Sequence, residues 1–263
     1  MAPLTFVRGF FAQDTDRADD EPPARMGLLE NKTWADVNEL ISTSQAHGSK
    51  VKLILLLRHG EGLHNADKAR VGDQAWESEF QFLPEYIDAP LTALGVVQSK
   101  AAAHLLEEQL ASGGLQLERV IVSPLDRTLE TCAHVFANLT QLLPATAMEI
   151  TRETLGVCSC DQRKAMREKV TKYPQVDFTG IENEDDVLWT ADHRESDAEI
   201  EVRALKFLNE VYWNHQESRI TVISHSGFSR ACFRALGHHH YRPQNAEFIP
   251  LLLTSEPAPS STT

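Results

Sequence analysis

Residues 53–65 read LILLLRHGEGLHN. Five aliphatic residues lead directly into Arg58, His59 and Gly60. An apolar run of this length, with no polar alternation, fits a strand covered on both faces, the kind found inside parallel sheets. It is far too short to span a bilayer. Extended outward, the strand covers Val51–Leu57 and ends at the turn Arg58-His59-Gly60-Glu61.

The rest of the chain alternates helix and strand signals around this one. Upstream, Thr33 can cap a helix over 33–46. Downstream, Thr92 can cap a helix that runs to Ser112 and stops at Gly113-Gly114, with Leu94, Val97, Ala101 and Leu105 spaced by threes and fours. Arg119–Val122 reads as a second strand, 125–139 as a helix and Ala147–Thr151 as a third strand. Residues 197–215 form an amphipathic helix with Ile200, Ala204, Phe207, Leu208 and Val211 on one stripe. Arg219–Ser224 is a fourth strand, followed by a short helix capped by Ser226. Phe248–Leu253 reads as a last strand at a sheet edge. This alternation predicts an α/β fold of three layers, a mostly parallel sheet with helices on both faces. The domain is expected to span 1–253. Within it, 1–50 forms an N-terminal arm packed on the body, including a polar loop over 12–25, and 157–193 forms a lid insertion. Residues 254–263, which have no apolar content to bury, are expected to be a disordered tail.

Composition narrows the function. The chain has 263 residues, 42% of them hydrophobic, enough for a sizeable core. Its formal net charge of −13 argues against binding nucleic acid or an anionic membrane. Any anionic ligand must therefore meet cations gathered in one pocket. Cys132, Cys158, Cys160 and Cys232 are irregularly spaced and read as reduced thiols. Arg8 and the acidic residues behind it argue against a secretory leader. Together these predict a cytoplasmic protein.

In parallel sheets, ligands bind beyond the carboxyl ends of the strands. The first strand ends at Arg58 and His59, the second at Ser123 with Arg127 one turn on, the third at Arg152 and Glu153, and the fourth at His225. Singly, each is a common loop residue. Together, two imidazoles, at least two guanidinium groups and a carboxyl on one edge fit phosphoryl transfer. An arginine fork binds two phosphate oxygens at once. A neutral imidazole can attack phosphorus. A carboxylic acid can protonate the leaving oxygen.

The quoted stretch also resembles the signature of the histidine phosphatase superfamily, the phosphoglycerate mutase-like proteins. The resemblance continues through DAPLTALGVVQ (88–98), VIVSPLDRTLET (120–131), RETLGV (152–157), DFTGIENEDDVLWTADHRES (177–196), VISHSGF (222–228) and NAEF (245–248). GFFAQ (9–13) and the region of Trp34 resemble the N-terminal arm of a eukaryotic branch. The family implies a phosphohistidine on His59, phosphate oxygens held by Arg58, Arg127 and His225 with Asn65 as a further contact, and Glu153 as general acid and then base. It implies no metal and no organic cofactor. One nitrogen of His59 should be fixed as a donor to a carbonyl near Gly60.

These readings lead to hydrolysis of a small phosphorylated metabolite. Mutase chemistry on phosphoglycerate is the alternative, disfavoured because 156–169, GVCSCDQRKAMREK, lacks the substrate-clamping tyrosine, lysine and arginine pair of true mutases. A weakly active phosphate-binding regulatory protein is a third reading, against which Glu153 speaks. The substrate's identity and the oligomeric state are left open. His238-His239-His240 lacks the partners of a zinc site. Cys158-Ser-Cys160 reads as a packing element and the acidic run 182–186 as a solvated face. The basic run Arg163, Lys164, Arg167, Lys169, Lys172 reads equally as lid and as exposed helix. His64 is given less weight than Asn65.

Overall fold

The computed structural model describes residues 3–15, 22–111, 113–139 and 143–255. In chain order the strands are β1 (Thr5–Phe6), β2 (Val51–Arg58), β3 (Arg119–Val122), β4 (Ala145–Ala147), β5 (Val176–Asp177), β6 (Arg219–Ser224) and β7 (Phe248–Thr254). The helices are α1 (Trp34–Ala46), α2 (Leu63–Val71), α3 (Asp73–Ser78), α4 (Ala93–Ala111), α5 (Asp126–Val135), α6 (Met166–Lys172), α7 (Asp197–Asn214) and α8 (Ser226–Ala235). The strands form one sheet in the order β1-β7-β2-β6-β3-β4-β5, parallel from β2 to β5.

Alternation along β2 produces the three layers. Leu53, Leu55 and Leu57 face the layer of α1, α4 and α5, where Trp34, Ile41, Leu106 and Leu129 are buried. Ile54 and Leu56 face α7 and α8, against Ile200, Phe207, Phe228 and Cys232. Both faces of β2 are thus sealed, as its uninterrupted aliphatic run requires. Thr33 caps α1, and Thr92 Oγ1 accepts from Gly95 N at 3.0 Å. Among the described residues, no helix is long and apolar enough to cross a membrane.

Several expectations are corrected. The third strand is Ala145–Ala147, and 149–151 form a 3-10 turn instead. The last strand is not at an edge: β7 lies antiparallel between β2 and β1 and runs on to Thr254, so that β1 from the N-terminal arm closes the sheet. The N-cap of α8 is His225, not Ser226. The polar stretch 12–25 contains buried Gln13 and Asp14, the latter accepting three backbone N–H groups from Gly9, Phe10 and Phe11. Of the expected tail, 256–263 lies outside the described residues. Ser255 is held by Tyr212, the amide of one donating to the hydroxyl of the other at 3.0 Å.

The register sets the site. Arg58 lies opposite Ser224, and Val122 opposite Ile223. Three neighbouring parallel strands therefore end level, and their next residues emerge at one edge. Because β7 is antiparallel, the segment entering it arrives at the same edge. Ala246 N and Asn245 Nδ2 each donate to His59 O at 3.1 Å.

Candidate active site

His59 leaves β2 buried, and its Nδ1 lies 2.6 Å from the carbonyl of Gly60. A carbonyl can only accept, so Nδ1 carries the proton and the lone pair is on Nε2. Burial, then the charges of Arg127 and Arg58, hold the His59 pKa well below its usual range. The ring is thus a neutral base with a fixed tautomer. His225, following β6, has its ring centroid 5.1 Å from that of His59. Its Nδ1 accepts from Arg127 Nε at 3.2 Å, so its Nε2–H donates to Ser123 Oγ at 2.8 Å.

Arg127 enters from the first turn of α5 and is fully buried. Besides His225 it donates to Cys160 O at 2.6 Å and to Asp161 Oδ1 at 2.9 Å. Burial opposes its charge, but Asp161, Cys160, Glu153 and Asp88 together outweigh burial and raise its pKa. Three of its five N–H groups are thereby used, and two remain. Arg58 is tied down by one bond, Nη1 to Pro243 O at 2.9 Å, and its buried Nε has no partner among the described residues. Burial, with the like charges of Arg242, Arg127 and Arg230, lowers its pKa to about 10, so it stays charged near neutrality.

Glu153 projects toward the start of α8. Gly227 N donates to its Oε2 at 3.0 Å and Thr154 N to its Oε1 at 2.9 Å. Its backbone is braced from α7: Arg203 donates to the carbonyls of Ile150, Arg152 and Glu153 at 3.0, 2.7 and 2.9 Å. Asn65, on the first turn of α2, accepts from Gly62 N at 3.0 Å. The edge thus gathers Arg58, His59, Arg127 and His225, with Glu153 close enough for its charge to act on both arginines. Arg152 is not part of this group. It is fully buried and bound to Asp186 and Glu149.

Residues 54–250 match the family model described as histidine phosphatase superfamily (branch 1). The chain belongs to the histidine phosphatase superfamily. Among superfamily relatives, the probable phosphoglycerate mutase of Arthroderma benhamiae is 29% identical over 92% of this chain and 76% of its own length. Phosphoglycerate mutase-like protein 1 of Arabidopsis thaliana is 35% identical over 68% of this chain and 70% of its own. Among solved structures, the ecdysone phosphate phosphatase of Bombix mori aligns with a TM-score of 0.51 at 15% identity, over 81% of this chain and 95% of that one. This last likeness concerns the fold.

The candidate site has parts that the sequence alone did not announce. Cys160 O and Asp161 clamp Arg127, and Arg194 joins them, donating to Asp161 Oδ2 at 2.8 Å and to the carbonyls of Thr154 and Gly156. Arg230 and Arg242, whose charges act on Arg58, have no hydrogen-bond or carboxylate partner among the described residues. The basic run is mixed: Arg167 and Lys172 are exposed, as in an exposed helix, while others turn inward. Arg163 and Lys169 are buried, Arg163 on Glu149 and Lys169 on Asp88 and Asp126, and Lys172 reaches Asp126 and Glu130. Asp186 of the acidic run is a buried partner of Arg152, not a solvated charge. Cys158 and Cys160 are buried beside Trp76 and Tyr86, as a packing element would be.

Proposed function

We propose that this chain hydrolyses a small phosphomonoester through a phosphohistidine on His59. The observation that carries the reading is the state of that ring: buried, neutral, Nδ1–H fixed on Gly60 O, and set among arginines that retain unused N–H groups. In the first step Nε2 attacks phosphorus, the bond to the leaving oxygen breaks, and Glu153 as the acid protonates that oxygen. In the second step Glu153 as the carboxylate takes a proton from water, whose oxygen attacks the phosphoryl group and restores His59. Arg58 and Arg127 hold the peripheral oxygens, and His225 turns its Nε2–H from Ser123 to one of them. Fixed donors of this kind supply the larger share of the acceleration, with the acid and base adding about 10²–10⁴-fold. Segment 157–193 is read as the wall over the site, since its Cys160 and Asp161 hold Arg127 from above the strand ends.

The test is to incubate the chain with a labelled phosphomonoester and quench it in base. Acid-labile phosphate should be trapped on the wild type, and His59→Ala should lose both trapping and turnover. Retention of either would reject the reading.

The names of the relatives favour a second reading, phosphoglycerate mutase. The engagement of Arg163, Lys169 and Lys172 by internal carboxylates speaks for hydrolysis, because it leaves little of that run to clamp a second acidic group. Phosphate release and 2-/3-phosphoglycerate interconversion, measured on one preparation, separate the two. Efficient interconversion would favour the mutase.

A further inference from the structure

His64 has no part in the steps above, yet it lies inside the site. Its ring centroid is 5.8 Å from that of His59, on the first turn of α2. Room for the ring depends on Gly62. A Cβ there would come within 2.7 Å of His64 Cε1 and 2.8 Å of Nδ1, with Arg127 Cδ at 3.5 Å. The Nδ1 edge is therefore packed against the backbone, beside the arginine that clamps the pocket.

That Nδ1 is buried and has no hydrogen-bond partner among the described residues. A proton placed on it would be a buried, unsatisfied donor, which is costly. A lone pair there faces positive charge instead, since the charged groups acting on His64 are Arg127, Arg58 and Lys68. Burial, and then the same cations, resist a second proton on the ring. The neutral ring therefore carries its one proton on Nε2, the edge of this half-buried side chain that is not sealed.

We infer that His64 is a further substrate-contacting residue, a neutral imidazole whose Nε2–H donates to a peripheral oxygen of the phosphoryl group held at His59. The inference rests on the phosphoryl-transfer reading. An uncharged donor suits this place. The pocket already holds several guanidinium groups, and one more donor can serve the charge that builds on the transferring oxygens without adding to their mutual repulsion. Gly62 then has a functional reason: any side chain at 62 would push the donor away.

The test compares three variants by turnover and by calorimetric binding of orthovanadate, which reads the contact without chemistry. His64→Gln keeps an N–H near the position of Nε2, His64→Asn keeps one near Nδ1, and His64→Leu keeps none. We expect His64→Leu and His64→Asn to lower kcat/KM by about 10²-fold and to weaken vanadate binding in proportion. His64→Gln should stay within about fivefold of wild type on both counts, on the scale of a retained donor. Vanadate affinity and kcat/KM unchanged in His64→Leu would overturn the inference. So would an equal loss in all three variants at unchanged melting temperature, which marks a packing role. If His64→Leu does not fold, the contrast between Gln and Asn decides alone. Vanadate binding that depends on His64, in a wild type that traps no phosphohistidine, would remove the phosphatase reading and leave the contact standing. Trapping with vanadate binding blind to His64→Leu would do the reverse.

Discussion

At Gly227, one hydrogen atom in place of a side chain decides where Glu153 sits. A Cβ at that position would be 1.9 Å from Glu153 Oε1, while the Gly227 amide donates to Oε2 of the same carboxylate. Gly227→Ala must therefore move the carboxyl group, although the helix that carries the residue is otherwise tolerant of alanine. A misplacement of about 1 Å in a catalytic group costs on the order of 10²-fold in rate. We expect kcat to fall by about that factor with little change in KM or melting temperature. Steady-state kinetics and thermal melts check this, and turnover within threefold of wild type would mean that Glu153 need not be where Gly227 holds it. Arg58, His59 and His225 were legible in the sequence because each ends or directly follows a buried strand, and Arg127 because it lies on the first turn of the helix after one. The strand expected to lead into Glu153 in fact stops at Ala147, so only the family resemblance pointed to that residue. The reasons for Gly227, Asp161 and Arg203 were not legible, since each acts on a partner many residues away along the chain, and composition around a residue does not name a distant partner.

Among the elements, buried strands and long capped helices were the most legible. β2, β3 and β6 announce themselves by aliphatic runs, because strands sealed on both faces leave no room for polar alternation. β4 is only three residues long and has no such signal. β7 is as apolar as β2, but nothing in its own residues tells that β1 will pair outside it. The insertion 157–193 was the least legible, because a run of charges gives sign and not partners. Its fold depends on Arg152, which no water reaches, with Asp186 Oδ2 at 2.6 Å, Glu149 Oε2 at 3.0 Å and the carbonyl of Asp161 at 2.5 Å. Arg152→Met would leave the Asp186 carboxylate buried without its cation. Breaking a buried pair on one side costs about 3–5 kcal/mol. Urea denaturation should register a loss of that size, and limited proteolysis should cut first within 157–193. A loss under about 1 kcal/mol would place the ion pair among those that contribute little.

The molecule as a whole carries −13 yet keeps cations facing inward at one edge of its sheet. The buried arginines Arg127, Arg152 and Arg163 each have a carboxylate, whereas half-buried Arg230 and exposed Arg242 have none among the described residues, and the imidazoles between Arg58 and Arg127 are held neutral. Burial, reinforced by Arg127, keeps the pKa of both His59 and His225 well below the usual value. The unfolded chain takes up a proton on each ring near pH 6.5, whereas the folded site refuses it. Below that pH the unfolded state binds more protons, so stability must fall as pH falls, and it levels off only once the folded rings themselves titrate. Each ring contributes about 1.4 kcal/mol of loss between pH 7.5 and 5.5, or about 3 kcal/mol for the pair. Chemical denaturation at the two pH values measures this. The variant His59→Asn/His225→Asn, which has no imidazole to protonate at either position, should lose about 3 kcal/mol less than wild type over the same interval. An equal pH dependence in the two proteins would mean that these rings are not held neutral. A bound phosphate dianion should oppose the effect, because its charge favours the protonated rings that the empty site resists. With saturating phosphate, the wild type should therefore lose less stability between pH 7.5 and 5.5 than without it.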